Sequence, residues 1–208
     1  MYNEILDSLR ESYNHMAAAR EKYEVDAFKI IERQHFLEVL QNQCDHYEKL
    51  NLLEIGAGPG KDSLFFQENG LEVICTDLSP EMVALCRSKG LNAHEMDFLH
   101  LDFPNASFDA IYALNCLLHV PKQDMPTVLN RIRGLLKPGG LFFMGVWGGY
   151  DFEGMRLADE YVPKRFFSFY ADEGIQKVVS NVFDVAYFKT IQVSWNQDTH
   201  FQSMILKA

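Results

Sequence analysis

The feature that most constrains this chain is the run Leu52-Leu53-Glu54-Ile55-Gly56-Ala57-Gly58-Pro59-Gly60, a short apolar stretch closed by three alternate glycines. An apolar run of this length bounded by glycine reads as a buried strand. The glycines permit positive φ and let a ligand approach the backbone closely. Helical patterning resumes at Lys61, so the segment opens a strand–turn–helix unit, and the alternation continues. Strands are expected at Asn51–Ile55, Glu72–Thr76, Ala93–Glu95, Phe108–Leu114 and Leu141–Val146, with helices at Lys61–Asn69, Pro80–Ser88 and Asp124–Leu136. Such alternation predicts an α/β fold with a mostly parallel sheet covered on both faces. The second of these helices is well punctuated: Ser79 can cap it, Pro80 and Glu81 suit its first turn, and Gly90 can end it.

The two ends of the chain break the pattern. The first fifty residues contain neither Gly nor Pro. They predict a helix over Glu4–Arg20 and a second one whose apolar face carries Ile30, Leu37, Leu40 and Cys44. Residues 1–48 are therefore read as a helical extension over a domain at 49–208. Beyond residue 150 the reading is an irregular, aromatic-rich stretch over 151–170, a helix near Asp172–Ser180, and strands at Phe183–Trp195 and Phe201–Lys207. The polar link Asn196-Gln197-Asp198-Thr199 is short enough to require a hairpin, hence an antiparallel final pair.

Composition narrows the function. The chain has 208 residues, a length of one domain with additions. Its formal charge is −10, which disfavours nucleic acid or an anionic membrane as partner. No apolar stretch reaches the roughly 18 residues of a membrane span. Cys44, Cys75, Cys86 and Cys116 form no CxxC pair, so structural zinc is not expected, and no carboxylate cluster for magnesium stands out, which leaves dispersed carboxylates open. Without a secretory start, the expected location is the cytoplasm.

The glycine turn admits several ligands. A P-loop would need Gly at position 55 and Ser or Thr at 62, where Ile55 and Asp62 stand. A dinucleotide fingerprint would need Gly or Ala at Lys61, which weakens an NAD-type oxidoreductase without removing it. The third ligand is S-adenosylmethionine (SAM). Glu54-Ile55-Gly56-Ala57-Gly58-Pro59-Gly60 is similar to the first motif of class I SAM-dependent methyltransferases of the small-molecule type. Val73-Ile74-Cys75-Thr76-Asp77-Leu78-Ser79-Pro80-Glu81-Met82 resembles the second, and His94-Glu95-Met96-Asp97-Phe98 the third. Phe108-Asp109-Ala110-Ile111-Tyr112 resembles the fourth strand, and Leu135-Leu136-Lys137-Pro138-Gly139-Gly140 the turn before the fifth. All five fall in the family's order across about residues 50–147.

The resemblance implies a Rossmann-like three-layer sandwich of seven strands in the order 3-2-1-4-5-7-6, with strand 7 antiparallel. It also implies SAM as cofactor and S-adenosylhomocysteine as product. The implied cofactor contacts are Glu54, Gly56, Ala57, Gly58, Gly60, Asp77, Leu78, Met82, Asp97, Phe98 and Asn115. Of these, Asp77 is suited to the ribose hydroxyls, Asp97 with Phe98 to the adenine, and Glu54 and Asn115 to the methionine end. Tyr13 and Tyr23 match a pre-domain segment in which a tyrosine closes over the methionine; ordinary helix packing is the competing reading.

His119, on the loop after the fourth strand, is placed to act as a general base, with a packing role as its alternative. Trp147, Arg165, Phe166 and Tyr170 follow the fifth strand and suit a flat, partly anionic acceptor. The stretch 148–170 is thus read as a substrate-side insertion. Asn115-Cys116-Leu117-Leu118 lacks the prolines and aromatic that nucleic-acid amino methylases carry there, which together with the charge favours a small-molecule acceptor. A noncatalytic SAM-binding module stays open, as does a homodimer.

Overall fold

The computed structural model describes residues 2–43, 49–194 and 196–208, with backbone only at 196–198. Cys44 and Trp195, both part of the expectations above, lie outside these residues.

Two helices come first, α1 (Tyr2–Lys22) and α2 (Ala27–Gln43). The alternating part follows as β1 (Asn51–Ile55), α3 (Lys61–Glu68), β2 (Glu72–Asp77), α4 (Pro80–Ser88), β3 (Asn92–Glu95) and β4 (Phe108–Leu114). It continues with α5 (Met125–Leu135), β5 (Leu136–Gly148), β6 (Phe152–Met155), β7 (Phe166–Phe169), α6 (Asp172–Ser180), β8 (Asp184–Val193) and β9 (Asn196–Lys207). A seven-stranded sheet has the order β3-β2-β1-β4-β5-β9-β8. Its first five strands are mutually parallel, and β9 runs antiparallel to both β5 and β8. With β6 and β7 set aside as a separate pair, this is the expected order and the expected direction of the last strand.

Side-chain alternation explains the three layers. Successive residues of a strand point to opposite faces, and the central strands here are apolar at nearly every position. Leu53, Ile111, Phe142 and Met144 share one core with Val128, Leu129 and Ile132 of α5 and Ile175 of α6. Their neighbours Leu52, Ala110, Tyr112, Leu141 and Phe143 meet Phe36, Leu37 and Leu40 of α2 and Phe66 of α3. Within that second core Tyr112 and Phe143 stack at 4.6 Å and 14°. α4 is capped as expected, Met82 N donating to Ser79 Oγ at 3.2 Å.

Three expectations need correction. Ile30 is 44% exposed; the buried face of α2 carries Glu32 instead, ion-paired to Lys189 at 2.8 Å and accepting from Ser203. Leu37 and Leu40 do sit on the buried face, with Phe36 beside them; Ile30 lies at the edge of that stripe in the first turn of α2, where it stays in solvent. Residues 196–199 belong to β9, paired from Asn196↔Val193 onward, because the antiparallel ladder continues past Phe201 toward the start of the strand. The 151–170 stretch is not wholly irregular: β6 and β7 form an antiparallel hairpin in which Phe152 faces Phe169 and Met155 faces Phe166.

Candidate cofactor and acceptor site

Parallel strands direct their carboxyl ends to one side of the sheet, and the loops leaving β1, β2, β4 and β5 meet there. Gly56 has φ +68° and Gly60 φ +80°. A Cβ on Gly56 would lie 2.4 Å from Cys116 Cβ, and one on Gly60 2.6 Å from Leu91 Cδ1, so only glycine fits either position. Gly58 N donates to Asp77 Oδ2 at 2.8 Å, and Ser79 N to Asp77 Oδ1 at 2.9 Å. Asp77 therefore ties the glycine turn to the start of α4. Burial raises its pKa, and each carboxylate oxygen keeps a further lone pair for a ligand hydroxyl.

Three adjoining cavities occupy this end. A narrow waist of about 50 Å³ is lined by Gly56, Gly58, Asp77, Leu78, Phe98 and Asn115, among others. On one side lies a turn-side cavity of about 440 Å³ bordered by Tyr23, Glu54, Gly56, Ala57, Gly58 and Asp62. On the other lies an acceptor-side cavity of about 400 Å³ that includes Tyr13, His119, Trp147, Arg165, Phe167 and Phe169. Arg20 and Asn115 line all three.

These two shared residues test whether a SAM-like ligand fits. Asn115 has φ +55° and a buried Oδ1 with no partner. A buried unpaired acceptor costs about 1–3 kcal/mol, an expense a donor from a ligand would remove. Arg20 donates to Tyr161 Oη at 3.2 Å, while its Nε is buried and unpartnered. Its guanidinium faces the glycine turn, 4.0 Å from where a Gly58 Cβ would sit. Opposite it, Glu54 is 2% exposed and accepts a hydrogen bond from Ser63. Burial, then the neighbouring Asp62, raises its pKa well above the usual carboxylate range. A cation for a carboxylate, an acid for an ammonium, a free acceptor and a glycine cradle match the methionine end of SAM.

Several expected residues serve otherwise. Met82 is wholly buried and lines none of the three cavities. Asp97 is likewise absent from their walls: its Oδ1 accepts from Leu99 N at 2.8 Å and His100 N at 3.1 Å, holding its own turn. Gly60 acts by packing against Cys86 and Leu91. Tyr23 is 53% exposed and borders only the turn-side cavity. Phe166 and Tyr170 do not line the acceptor-side cavity, whereas Phe167 and Phe169 do. Strand alternation along β7 decides this, since 167 and 169 share a face that 166 does not. Tyr170 is buried beneath Lys122, whose Nζ lies 4.5 Å from the ring centroid. Trp147 and Arg165 line the acceptor-side cavity.

His119 is 3% exposed, and both ring nitrogens are engaged. Nδ1 lies 2.6 Å from Phe166 O and Nε2 2.7 Å from Tyr13 Oη. A carbonyl can only accept, so Nδ1 carries the proton and Nε2 accepts from the tyrosine. Arg165 Nη1 then donates to Tyr13 Oη at 3.2 Å. Burial pushes the imidazole down to about 3. Its one basic nitrogen is already occupied, so a direct general-base role is not what this geometry provides; the group presented to the cavity is the Tyr13 hydroxyl.

α1 forms the roof of this end. Leu9, Tyr13 and Arg20 come from it. Asn14 Oδ1 accepts from Ser79 Oγ at 2.6 Å, and Glu21 pairs with Lys89 at 2.7 Å. On the other side, Ser8 and Ser12 donate to the carbonyls of Lys164 and Pro163. Among the described residues no group of three or more His, Cys, Asp or Glu could hold a metal ion, and no helix is long and apolar enough to cross a membrane.

Comparison with known proteins agrees with this geometry. A family model described as a methyltransferase domain matches residues 52–140. A sterol 24-C-methyltransferase from Aspergillus fumigatus is 29% identical over 117 residues, 52% of this chain and 30% of that protein. A ubiquinone biosynthesis O-methyltransferase from Xanthomonas oryzae pv. oryzae is 32% identical over 100 residues, 45% of this chain and 41% of that protein. The match thus spans less than half the length of these curated relatives. The solved structure of a 1,6-didemethyltoxoflavin-N1-methyltransferase from Burkholderia thailandensis, with bound 1,6-didemethyltoxoflavin and S-adenosylhomocysteine, superposes with a TM-score of 0.74 and 23% identity. That superposition covers 99% of this chain and 88% of the other. Residues 52–140 thus match a methyltransferase domain, on a Rossmann-like sheet whose motifs resemble, in order, those of SAM-dependent methyltransferases.

Proposed function

We propose that this chain transfers the methyl group of SAM to a small-molecule acceptor held in the acceptor-side cavity. The observation that carries this reading is the meeting of three cavities at Arg20 and Asn115, above a turn only glycine can form. The cofactor supplies a methyl on a sulfonium, an electrophile that needs no further activation. The residues present supply placement. Arg20 meets the carboxylate, Glu54 the ammonium and Asp77 the ribose, while Gly56 and Gly58 admit the chain between them. Trp147, Phe167 and Phe169 wall the acceptor on the far side. Holding two reactants in line removes up to roughly 7–11 kcal/mol of entropic barrier in favourable systems. His119 acts on Tyr13, fixing the direction of its hydroxyl at the junction. In this reading residues 1–48 cap the site and 148–170 choose the acceptor. The formal charge of −10 favours a metabolite over nucleic acid.

Calorimetry on the full chain tests the first half: SAM and S-adenosylhomocysteine bind and NAD is silent. A labelled-methyl transfer screen over metabolites tests the second. Binding of NAD with no response to SAM would sink the reading; SAM binding with no transfer to any acceptor would leave a noncatalytic binder in its place.

A further inference from the structure

The acceptor-side cavity is cationic inside an acidic protein. Its walls carry Arg20, Lys29, Arg156 and Arg165 against Asp159 and Glu160, although the whole chain is at −10. These cations are not equivalent. Arg165 is spent on Asp159, through Nη2 at 2.7 Å and Nε at 3.1 Å, with the Asp159 side chain only 5% exposed. Lys29 pairs with Asp26 at 2.7 Å. Arg20 looks toward the glycine turn. Arg156 remains. Among the described residues no carboxylate, Glu160 included, lies within ion-pair distance of it. Its guanidinium sits 5.3 Å from the Phe169 ring centroid and 5.9 Å from that of Phe167.

A guanidinium is planar, always charged and matched to two oxygens of a carboxylate. Resting beside aromatic faces, it loses less side-chain freedom when it pairs than a lysine would. Phe167, Phe169 and Trp147, which line the same cavity, fit a flat ring. Building on the transferase reading, we infer that the methyl acceptor is a flat, conjugated acid whose carboxylate is taken by Arg156. Arg165 is then a framework residue that holds Tyr13, not the group that reads the acceptor's charge.

The test uses the full chain saturated with S-adenosylhomocysteine, titrated with benzoate and with benzamide as a matched pair and followed by ligand-observed NMR. Benzoate is expected to bind about tenfold or more tightly than benzamide. Arg156→Gln is expected to bring benzoate down to the level of benzamide, while Arg156→Lys keeps part of the preference and both variants hold S-adenosylhomocysteine as the wild type does. Equal binding of the two probes by the wild type, or a benzoate preference that survives Arg156→Gln, overturns the inference. The titration is repeated without S-adenosylhomocysteine, so the carboxylate preference is read independently. Failure to bind S-adenosylhomocysteine strikes the transferase reading, whereas loss of the preference strikes this one.

Discussion

His119→Gln offers a sharp test of the junction between α1, β4 and β7. The imidazole links Tyr13 Oη at 2.7 Å to Phe166 O at 2.6 Å. A glutamine can remake one of these bonds and leaves the other partner buried and unpaired, a loss of about 1–3 kcal/mol at neutral pH. The larger signature lies in acid. Burial pushes the folded-state imidazole down to about 3 from its ordinary 6.5. Between those values the unfolded chain binds a proton that the folded chain refuses, so wild-type stability is complete above 6.5 and falls as the pH drops toward 3. The slope is about 1.36 kcal/mol per pH unit, or about 2.7 kcal/mol two units below 6.5. The variant lacks this loss, so its deficit relative to wild type should shrink by about 2.7 kcal/mol by about pH 4.5, reversing where the neutral-pH deficit is smaller than that. Urea unfolding followed by tryptophan fluorescence from neutral pH down to that value measures it. Carboxylates common to both proteins, including Asp77 and Glu54, largely cancel in the difference. Stability curves that run parallel throughout would refute the buried, neutral, doubly engaged histidine.

Two further outcomes follow from the site. Gly56→Ala places a Cβ 2.4 Å from Cys116 Cβ at φ +68°; left-handed strain of about 1–2 kcal/mol plus overpacking of about 1–3 kcal/mol should appear as a lowered urea midpoint and weakened S-adenosylhomocysteine binding, and unchanged values for both would mean the turn is not the cradle. Arg20→Gln should weaken S-adenosylhomocysteine by about tenfold or more in calorimetry, the scale of a charged hydrogen bond, with the fold intact by circular dichroism; wild-type affinity in this variant would remove Arg20 from the cofactor site.

The part of this molecule that could be read from its residues is the part built by local rules. Leu52, Leu53 and Ile55 are apolar because β1 is covered on both faces, and Ser79-Pro80-Glu81 is a helix start whatever surrounds it. Those signals place β1, β2, α4 and the glycine turn, and Asp77 with them. Arg20 and Arg156 carry no such signal. One lies within a polar helix and the other in a loop, and their roles arise only when the fold brings each beside a cavity without a carboxylate to pair with. Phe166 and Phe167 differ by one step in register, which neighbouring aromatics in a run do not reveal. Met82 sits in a stretch similar to the family's second motif, yet its first-turn position on α4 turns it into the interior. His119 was found in its loop, but its two partners come from Tyr13 and Phe166, 106 and 47 residues away.

α1 touches the body of the protein along two seams, one to α4 and the glycine turn, the other to the stretch before β7. Beside the helix's buried Ile5, Leu6, Leu9 and Ala17, both seams carry side-chain tethers, such as Asn14 to Ser79 and Glu21 to Lys89 on one and Ser8 to Lys164 on the other. In the proposed function Tyr13 and Arg20, both on this helix, belong to the acceptor's junction and the cofactor's anchor, so lifting it would disassemble both in a single event. Exchange of spent cofactor and release of product would then share one opening step, the departure of that one helix from its place.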